Sequence, residues 1–151
     1  MRTVQAQGAV ALFLVDLDDF KRVNDTYGHA TGDEVLKAFA DRLRTVVRPT
    51  DSVARFGGDE FALIVHVSNE ETVHTLARRL TSLGARPYKF GQVVLQLGCS
   101  VGVARFEQNV ERSVIFSAAD EALYRAKALG KGRYEVAEDA GPELTDVEFS
   151  V

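Results

Sequence analysis

The sequence has little cysteine and no long apolar stretch. Its one cysteine, Cys99, cannot form a disulfide within the chain. Cys99 lies in the run VVLQLGCSVGVA, which predicts a buried structural thiol rather than a reactive one. The longest apolar stretch, AVALFLV at residues 9–15, is far shorter than the roughly 20 residues that a membrane helix needs. With no signal-peptide pattern at the N-terminus, these absences predict a cytoplasmic protein without membrane contact.

The chain also lacks an excess of positive charge. Its 18 Lys and Arg residues against 22 Asp and Glu residues give a net charge of −4. A whole-protein attraction to nucleic acid or to an anionic membrane is therefore not expected. Any phosphate has to be bound by a few local groups or through a metal ion. The 151 residues contain no internal repeat or low-complexity linker, and this length fits one domain with a sizeable core.

Strand-like and helix-like segments alternate along the chain. The predicted strands are residues 9–16, 52–56, 59–67, 93–104 and 132–137, and the predicted helices are residues 33–47, 70–83 and 113–129. Thr31 and Glu34 are spaced as a capping box for the first helix. The order β-α-β-β-α-β, with a further helix and strand, predicts a ferredoxin-like, palm-type α+β sandwich over residues 1–137. The acidic tail at 138–151 is predicted to be flexible.

Two glycines interrupt the hydrophobic stretch RFGGDEFALIV at residues 55–65. A two-residue connection of Gly57 and Gly58 is typical of a tight hairpin in which both residues have positive φ. Asp59 and Glu60 would then stand at the hairpin tip and face opposite sides of the strand.

Acidic residues also end the first predicted strand, in the segment VDLDDF. If that strand lies beside the hairpin, Asp16 approaches Asp59, and Asp18 shares the face of Asp16. Carboxylates gathered in this way suit Mg²⁺, which binds one or two carboxylates together with substrate phosphates and waters. Solvated strand ends are the alternative, and the spacing alone does not decide between the two.

Several other polar residues have ordinary structural interpretations. Lys127 and Lys131 flank Gly130 at the end of the last helix, where cations are favoured by the helix dipole alone. His29 lies in a turn-like segment, and a histidine there is more often a surface residue than a ligand. His66 and His74 have no cysteine or histidine partner at metal-binding spacing, which favours structural or surface roles for both.

Four segments resemble, in order, the GGDEF family of diguanylate cyclases. They are DLDDFKRVNDTYGHATGDEVL (16–36), RFGGDEFALIV (55–65), CSVGVA (99–104) and ADEALYRAKALGKGR (119–133). The resemblance implies that two GTP molecules are condensed into cyclic di-GMP with release of two pyrophosphates. It also implies that each domain holds one GTP and that two domains meet face to face, so that a homodimer is needed for turnover.

The resemblance further implies roles for individual residues. Asp16, the backbone carbonyl of Leu17, and Asp59 would bind Mg²⁺, with Mn²⁺ as the alternative ion. Asp59 or Glu60 would assist deprotonation of the attacking 3′-hydroxyl, and Lys21 would steady the phosphate charge in the transition state. The residues implied for substrate binding are Asn24, His29 and Asp33 at the guanine and Lys127 and Lys131 at the terminal phosphates.

An Arg-x-x-Asp segment, Arg48 to Asp51, ends five residues before Gly57. In the GGDEF family a segment at that distance implies a product-inhibition site for cyclic di-GMP, and Arg79 stands where the family often supplies a second arginine. Arginine can bind guanine O6 and N7 in a bidentate fashion. The alternative interpretation is a surface ion pair of little energetic value.

The sequence departs from the family pattern in two respects. It lacks the usual N-terminal helix and DxLTGLxNRR block, and Gly98 stands where threonine is common. The missing block motivates an alternative function, a catalytically silent GGDEF module that senses GTP or cyclic di-GMP. A third interpretation, another palm-type nucleotidyl cyclase or polymerase, is ranked last because no basic groove for a template strand is evident.

Overall fold

The structure is a computed structural model that describes residues 9–106 and 110–138. The predicted flexible tail lies outside the described residues, apart from Glu138. The strands are β1 (Ala9–Leu17), β2 (Ser52–Arg55), β3 (Glu60–Val67), β4 (Tyr88–Phe90), β5 (Val93–Leu95), β6 (Cys99–Phe106) and β7 (Tyr134–Val136). The helices are α1 (Phe20–Tyr27), α2 (His29–Arg44), α3 (Glu70–Gly84) and α4 (Arg112–Ala128). Within these ranges, none of the helices combines the length and the apolar character that crossing a bilayer requires.

A five-stranded sheet in the order β2-β3-β1-β6-β7 forms the centre of the fold. β1 pairs antiparallel with β3 and β6, while β7 runs parallel to β6. Phe13 faces a large core shared with α2 and α3, and Leu14 faces a smaller core beneath α4. The uninterrupted apolar sequence of β1 therefore reflects burial on both faces. The predicted ferredoxin-like, palm-type architecture is confirmed.

Gly102 of β6 allows α4 to lie directly on the sheet. A Cβ atom at this position would stand 2.3 Å from both the carbonyl oxygen of Ala119 and the backbone nitrogen of Leu123. Real side chains do not tolerate such distances to backbone atoms, which cannot move aside. The close approach sets the height of α4 above the sheet, and with it the position of Lys127 near the end of the helix.

The first predicted helix, residues 33–47, corresponds to α2, which begins earlier, at His29, and follows a helix that was not predicted, α1. Gly28, with φ of 95°, separates α1 from α2, a conformation that glycine adopts readily. The predicted capping box is wrong, because Thr31 and Glu34 lie inside α2 rather than at its start. α2 also ends at Arg44 instead of residue 47.

The predicted strand at 93–104 is divided in the structure. Residues 93–95 pair with β4 in a separate two-stranded sheet, and the main-sheet strand β6 begins at Cys99. Tyr88 of β4 is fully buried, donates a hydrogen bond of 2.8 Å to the carbonyl oxygen of Gly84, and lies under the guanidinium of Arg42. Cys99 is also fully buried, against Gly84, as predicted, and burial raises the pKa of its thiol.

Replacing Gly102 by alanine tests the close approach of α4. We expect Gly102→Ala to lower the free energy of unfolding by about 3 kcal/mol, because the new methyl group meets immovable backbone. Gly91→Ala is the matched control: Gly91 has open space around it but φ of 62°, so the expected cost is only about 1 kcal/mol. Urea unfolding measures both values, and equal losses would contradict the packing described.

Candidate active site

The end of β1 brings acidic side chains from two strands together. Asp16 stands in register with Glu60 of β3 on one side and with Ser100 of β6 on the other. Asp59 directly precedes Glu60 in the chain, so β1–β3 pairing brings its carboxyl group near that of Asp16, whose pKa it raises. The predicted adjacency of the first strand and the hairpin is therefore present in the fold.

Asp16 is an unusual carboxyl group. Burial raises its pKa to about 7, the hydrogen bond from Lys127 opposes that rise, and the neighbouring carboxyl of Asp59 adds to it. Lys127 reaches Asp16 from the last turn of α4 and bonds to its Oδ2 atom. Burial lowers the pKa of Lys127, but the bond and charge of Asp16 outweigh it, and the pKa of the lysine is raised. The pKa values of Asp16 and Lys127 are therefore both higher than those of the free side chains.

The geometry of the acidic cluster fits a divalent cation. The Oδ1 atom of Asp16 is buried and has no hydrogen-bond partner, which is costly for an acidic oxygen. Across residues 9–106 and 110–138, no three acidic, histidine or cysteine side chains converge to form a complete metal cage. Mg²⁺ does not require one, because it keeps several waters and uses substrate phosphates as ligands. The carboxyl groups of Asp16 and Asp59 would hold it, and the carbonyl of Leu17, the last residue of β1, remains a prediction.

The hairpin that carries Asp59 is wider than predicted. Gly57 and Gly58 both have positive φ, 95° and 55°, as expected. However, the backbone nitrogen of Phe56 bonds to the carbonyl oxygen of Glu60 at 2.9 Å, so the loop contains three residues, 57–59. Asp59 therefore lies in the turn and not on the strand. Arg55 holds this turn by donating from Nε and Nη2 to the carbonyl oxygen of Gly58 at 3.0 and 2.8 Å.

Glu60, the first residue of β3, is partly buried beside the acidic pair. Burial raises its pKa, and Asp120 of α4 raises it further. Sequence reasoning missed Asp120. The signal available was its spacing of seven residues from Lys127, which places the two side chains on one face of α4.

A second lysine reaches the acidic segment from beyond α4. Lys131 Nζ lies 2.9 Å from Asp19 Oδ1, and this hydrogen bond lowers the pKa of Asp19. Lys127 and Lys131, both predicted to hold terminal phosphates, therefore stand beside the acids at the end of β1. The two cations and the acids together form a site of mixed charge that suits a metal-bound polyphosphate.

The residues predicted to read guanine lie at the junction of α1 and α2. Asn24 is half-buried, and its Oδ1 atom packs so closely on Gly32 that a Cβ there would be 1.9 Å away. Asp33 lies at a groove of about 430 Å³ between α2 and β2 whose floor includes Leu36 and Phe61. His29 is exposed at the first position of α2.

Lys21 lies on the surface of α1. Its side chain is 89% exposed and pairs with Asp25 at 3.4 Å, one helical turn along α1. Its role at the phosphates stays a prediction.

Arg48 and Asp51 form a compact unit against β3. Asp51 has a side chain that is only 2% exposed, and it accepts hydrogen bonds from the backbone nitrogens of Arg48 and His66. Arg48 Nη2 donates to the carbonyl oxygen of His66 at 2.7 Å and its Nε donates to Asp51 Oδ2 at 3.5 Å, while the side chain as a whole is 62% exposed. Arg79 is exposed on α3.

The structure is a palm-type α+β domain with acidic and basic side chains gathered at the end of β1. The family described as "Diguanylate cyclase, GGDEF domain" matches residues 1–133. The chain belongs to this GGDEF domain family.

Named relatives and a solved structure agree with that assignment. Diguanylate cyclase DgcP of Pseudomonas aeruginosa is 43% identical over 131 residues, which is 86% of this chain and 20% of DgcP. Diguanylate cyclase DgcS of Shewanella oneidensis is 39% identical, over 89% of this chain and 45% of DgcS. The GGDEF domain of DgcB from Caulobacter crescentus, solved in complex with c-di-GMP, superimposes with a TM-score of 0.81 at 31% identity, covering 89% of this chain and 81% of that one. The chain thus spans less than half the length of both named relatives.

The raised pKa of Asp16 predicts a pH-dependent stability of the metal-free protein. The folded-state pKa of about 7 lies above the ordinary value of 3.8, so the folded chain binds a proton that the unfolded chain has lost. Stability from this group is therefore full below pH 4 and declines as pH rises towards 7. We expect Asp16→Asn to flatten that decline, measured as melting temperature in EDTA at pH 5 and pH 8. An equal decline in both proteins would contradict the assignment.

Proposed function

We propose that this chain is the catalytic domain of a diguanylate cyclase that condenses two GTP molecules into cyclic di-GMP and two pyrophosphates. The observation that carries the proposal is the convergence of Asp16, Asp59 and Lys127 at one end of the sheet. Asp16 and Asp59 can hold a divalent cation, and Lys127 supplies a positive charge for phosphate. GTP is an intracellular substrate, so the proposed reaction also assigns the domain to the cytoplasm.

The proposed binding mode follows from the positions of the charges. Lys127 and Lys131 bind the terminal phosphates of GTP. At the guanine edge the carboxylate of Asp33 accepts hydrogen bonds from guanine N–H groups, and the amide of Asn24 both donates and accepts. Asp16 and Asp59 hold Mg²⁺, which when bound neutralises phosphate charge and orients an in-line displacement. His29 borders the guanine end.

Glu60 is the better placed of the two candidate proton acceptors. Its raised pKa brings it closer to neutrality, where a general base is most effective. Asp59 is then free to serve as a metal ligand. In the reaction the 3′-hydroxyl oxygen of one GTP attacks the α-phosphorus of the other, its proton passes to Glu60, and pyrophosphate leaves. The reciprocal attack by the second 3′-hydroxyl closes the ring and releases the second pyrophosphate.

Two copies of the domain have to meet for this reaction. One site holds one GTP, and each nucleotide supplies both a 3′-hydroxyl and an α-phosphate, so the nucleotides must face each other across a homodimer. The rate of product formation should therefore rise faster than linearly with protein concentration.

A turnover assay tests the proposal on protein fused to a dimerising coiled coil. With Mg²⁺ and GTP we expect cyclic di-GMP, measured by chromatography, and a loss of at least about 100-fold in Asp59→Ala and Lys127→Ala, because each removes charge stabilisation at the phosphoryl centre. Asp41→Ala is the matched control, since Asp41 is an exposed carboxylate that pairs with Arg44 on the surface of α2. If the dimerised native chain binds GTP but forms no product, the domain is instead a silent sensor.

We also propose that Arg48 and Asp51 form a product-inhibition site for cyclic di-GMP, assisted by Arg79. Asp51 is buried and already accepts two backbone hydrogen bonds, so its proposed part is to fix the backbone that presents Arg48. The guanidinium of Arg48 is then the group that binds guanine, and it would exchange its bonds to His66 and Asp51 for that bidentate contact. That a related GGDEF domain was solved with c-di-GMP supports binding of this product within the family.

Calorimetry with cyclic di-GMP tests the inhibitory site. Arg48→Ala should weaken binding at least about tenfold, because a bidentate arginine–guanine contact is worth about 1–3 kcal/mol. Arg112→Ala serves as the control, because Arg112 is an exposed arginine at the start of α4. This variant should leave the affinity for cyclic di-GMP unchanged. Unaltered binding in Arg48→Ala would leave the surface ion pair as the correct interpretation.

A further inference from the structure

Asp18 lies two residues beyond Asp16 but belongs to a different set of contacts. It is 3% exposed, and both of its carboxyl oxygens are used within the protein. Oδ1 accepts a hydrogen bond of 2.7 Å from the hydroxyl of Ser100, and Oδ2 accepts one of 2.9 Å from the backbone nitrogen of Gly132. Asp18 therefore does not present an oxygen to the acidic cluster as Asp16 does.

The partner of Asp18 is the turn that follows α4. Lys131 and Gly132 both have positive φ, 63° and 62°, and this conformation is strained for a lysine. The nitrogen of Gly132 also lies 3.2 Å from Ser100 Oγ. Asp18 and Ser100 thus hold a strained turn onto the ends of β1 and β6.

The turn at residues 130–132 contains Lys131 and follows Lys127, the two lysines proposed to bind phosphate. Lys131 is within it, and its ammonium group reaches Asp19. Lys127 is at the end of α4 and reaches Asp16. The residues that these lysines contact stand on either side of Asp18 in the sequence, so one buried carboxyl ties the lysine segment to the acidic segment.

We propose that Asp18 is a positioning residue that fixes the turn at residues 130–132, and through it the lysines that bind the triphosphate. The inference rests on the proposed function, because it assigns Lys127 and Lys131 to phosphate. It goes beyond that function by giving a role to the buried acid that neither holds metal nor touches substrate.

Electrostatics alone predicts the opposite effect of removing Asp18. Deleting a negative charge near a phosphate site favours the phosphate, so a variant without the carboxyl would bind GTP more tightly. If Asp18 positions the turn, its removal weakens triphosphate binding instead. The guanine end is unaffected in either case, because Asn24 and Asp33 lie on α1 and α2, away from the turn.

Two ligands distinguish an effect on the phosphate end of the site from an effect on the guanine end. Binding of guanosine 5′-(α,β-methylene)triphosphate, which cannot release pyrophosphate, reports both ends, and binding of GMP reports chiefly the guanine end. In Mg²⁺ buffer we expect Asp18→Ala to bind the triphosphate analogue about tenfold more weakly, a factor equal to about 1.4 kcal/mol, with GMP affinity within twofold of the native value. Asp18→Asn should stay within about threefold for both, because its amide oxygen can accept from Gly132 and its nitrogen can donate to Ser100. Asp41→Ala is again the matched control.

Ser100→Ala provides a second variant should Asp18→Ala fail to fold. It removes one partner of Asp18 and one of Gly132, and the expected loss is about threefold for the analogue and none for GMP. Equal or tighter analogue binding by the variant that folds, or parallel losses for both ligands, would overturn the inference. If the native chain itself binds no triphosphate analogue, the proposed function fails first, whereas native binding with unaffected variants removes only the role of Asp18.

Discussion

The contact between Asp16 and Lys127 is the interaction on which the site depends. It joins the buried centre of the sheet to the last turn of α4, across 111 positions of sequence. The contact is possible only because α4 lies close on β6, where Gly102 offers no side chain. A helix seated higher would carry Lys127 away from the acids, and the site would lose its principal cation.

The carboxyl groups of the free site lie in an electrostatically unfavourable environment, and a bound cation would lower that cost. Burial disfavours the charged form of Asp16, Asp59 adds repulsion, and one oxygen of Asp16 has no partner. Lys127 compensates only in part, since burying a charge costs several kcal/mol before any pairing. A magnesium ion with its phosphates would supply both the missing positive charge and a second anionic partner for Lys127. Under the proposed function, these electrostatics of the free site would favour a metal-bound polyphosphate over either ion alone.

Local chemistry made part of this structure predictable from sequence. The apolar run of β1, the period of α3 and the two glycines of the hairpin each carry their own signal, and each lies where expected. Helix α1 was missed because its polar stretch reads equally well as a turn or as a short helix. The β4–β5 hairpin was missed because its two strands are three residues each, too short for alternation to be recognised.

The candidate site was harder to predict, for a physical reason. Asp16 and Asp59 could be brought together by assuming that two strands are neighbours, which the sheet order bears out. The positions of Lys127 and Lys131 depend on how α4 crosses the sheet, and no local pattern encodes that crossing; only the family resemblance pointed to them. Asp18 was predicted to share the face of Asp16, but its carboxyl group instead accepts a hydrogen bond from the backbone nitrogen of Gly132.

A crystal structure of the chain with Mn²⁺ and a non-hydrolysable GTP analogue tests the central claim most directly. The predicted result is an anomalous-scattering peak between the carboxyl groups of Asp16 and Asp59, with the ammonium group of Lys127 on the terminal phosphates and guanine near Asp33. Metal bound elsewhere, or a nucleotide whose phosphates lie away from the end of β1, would contradict it.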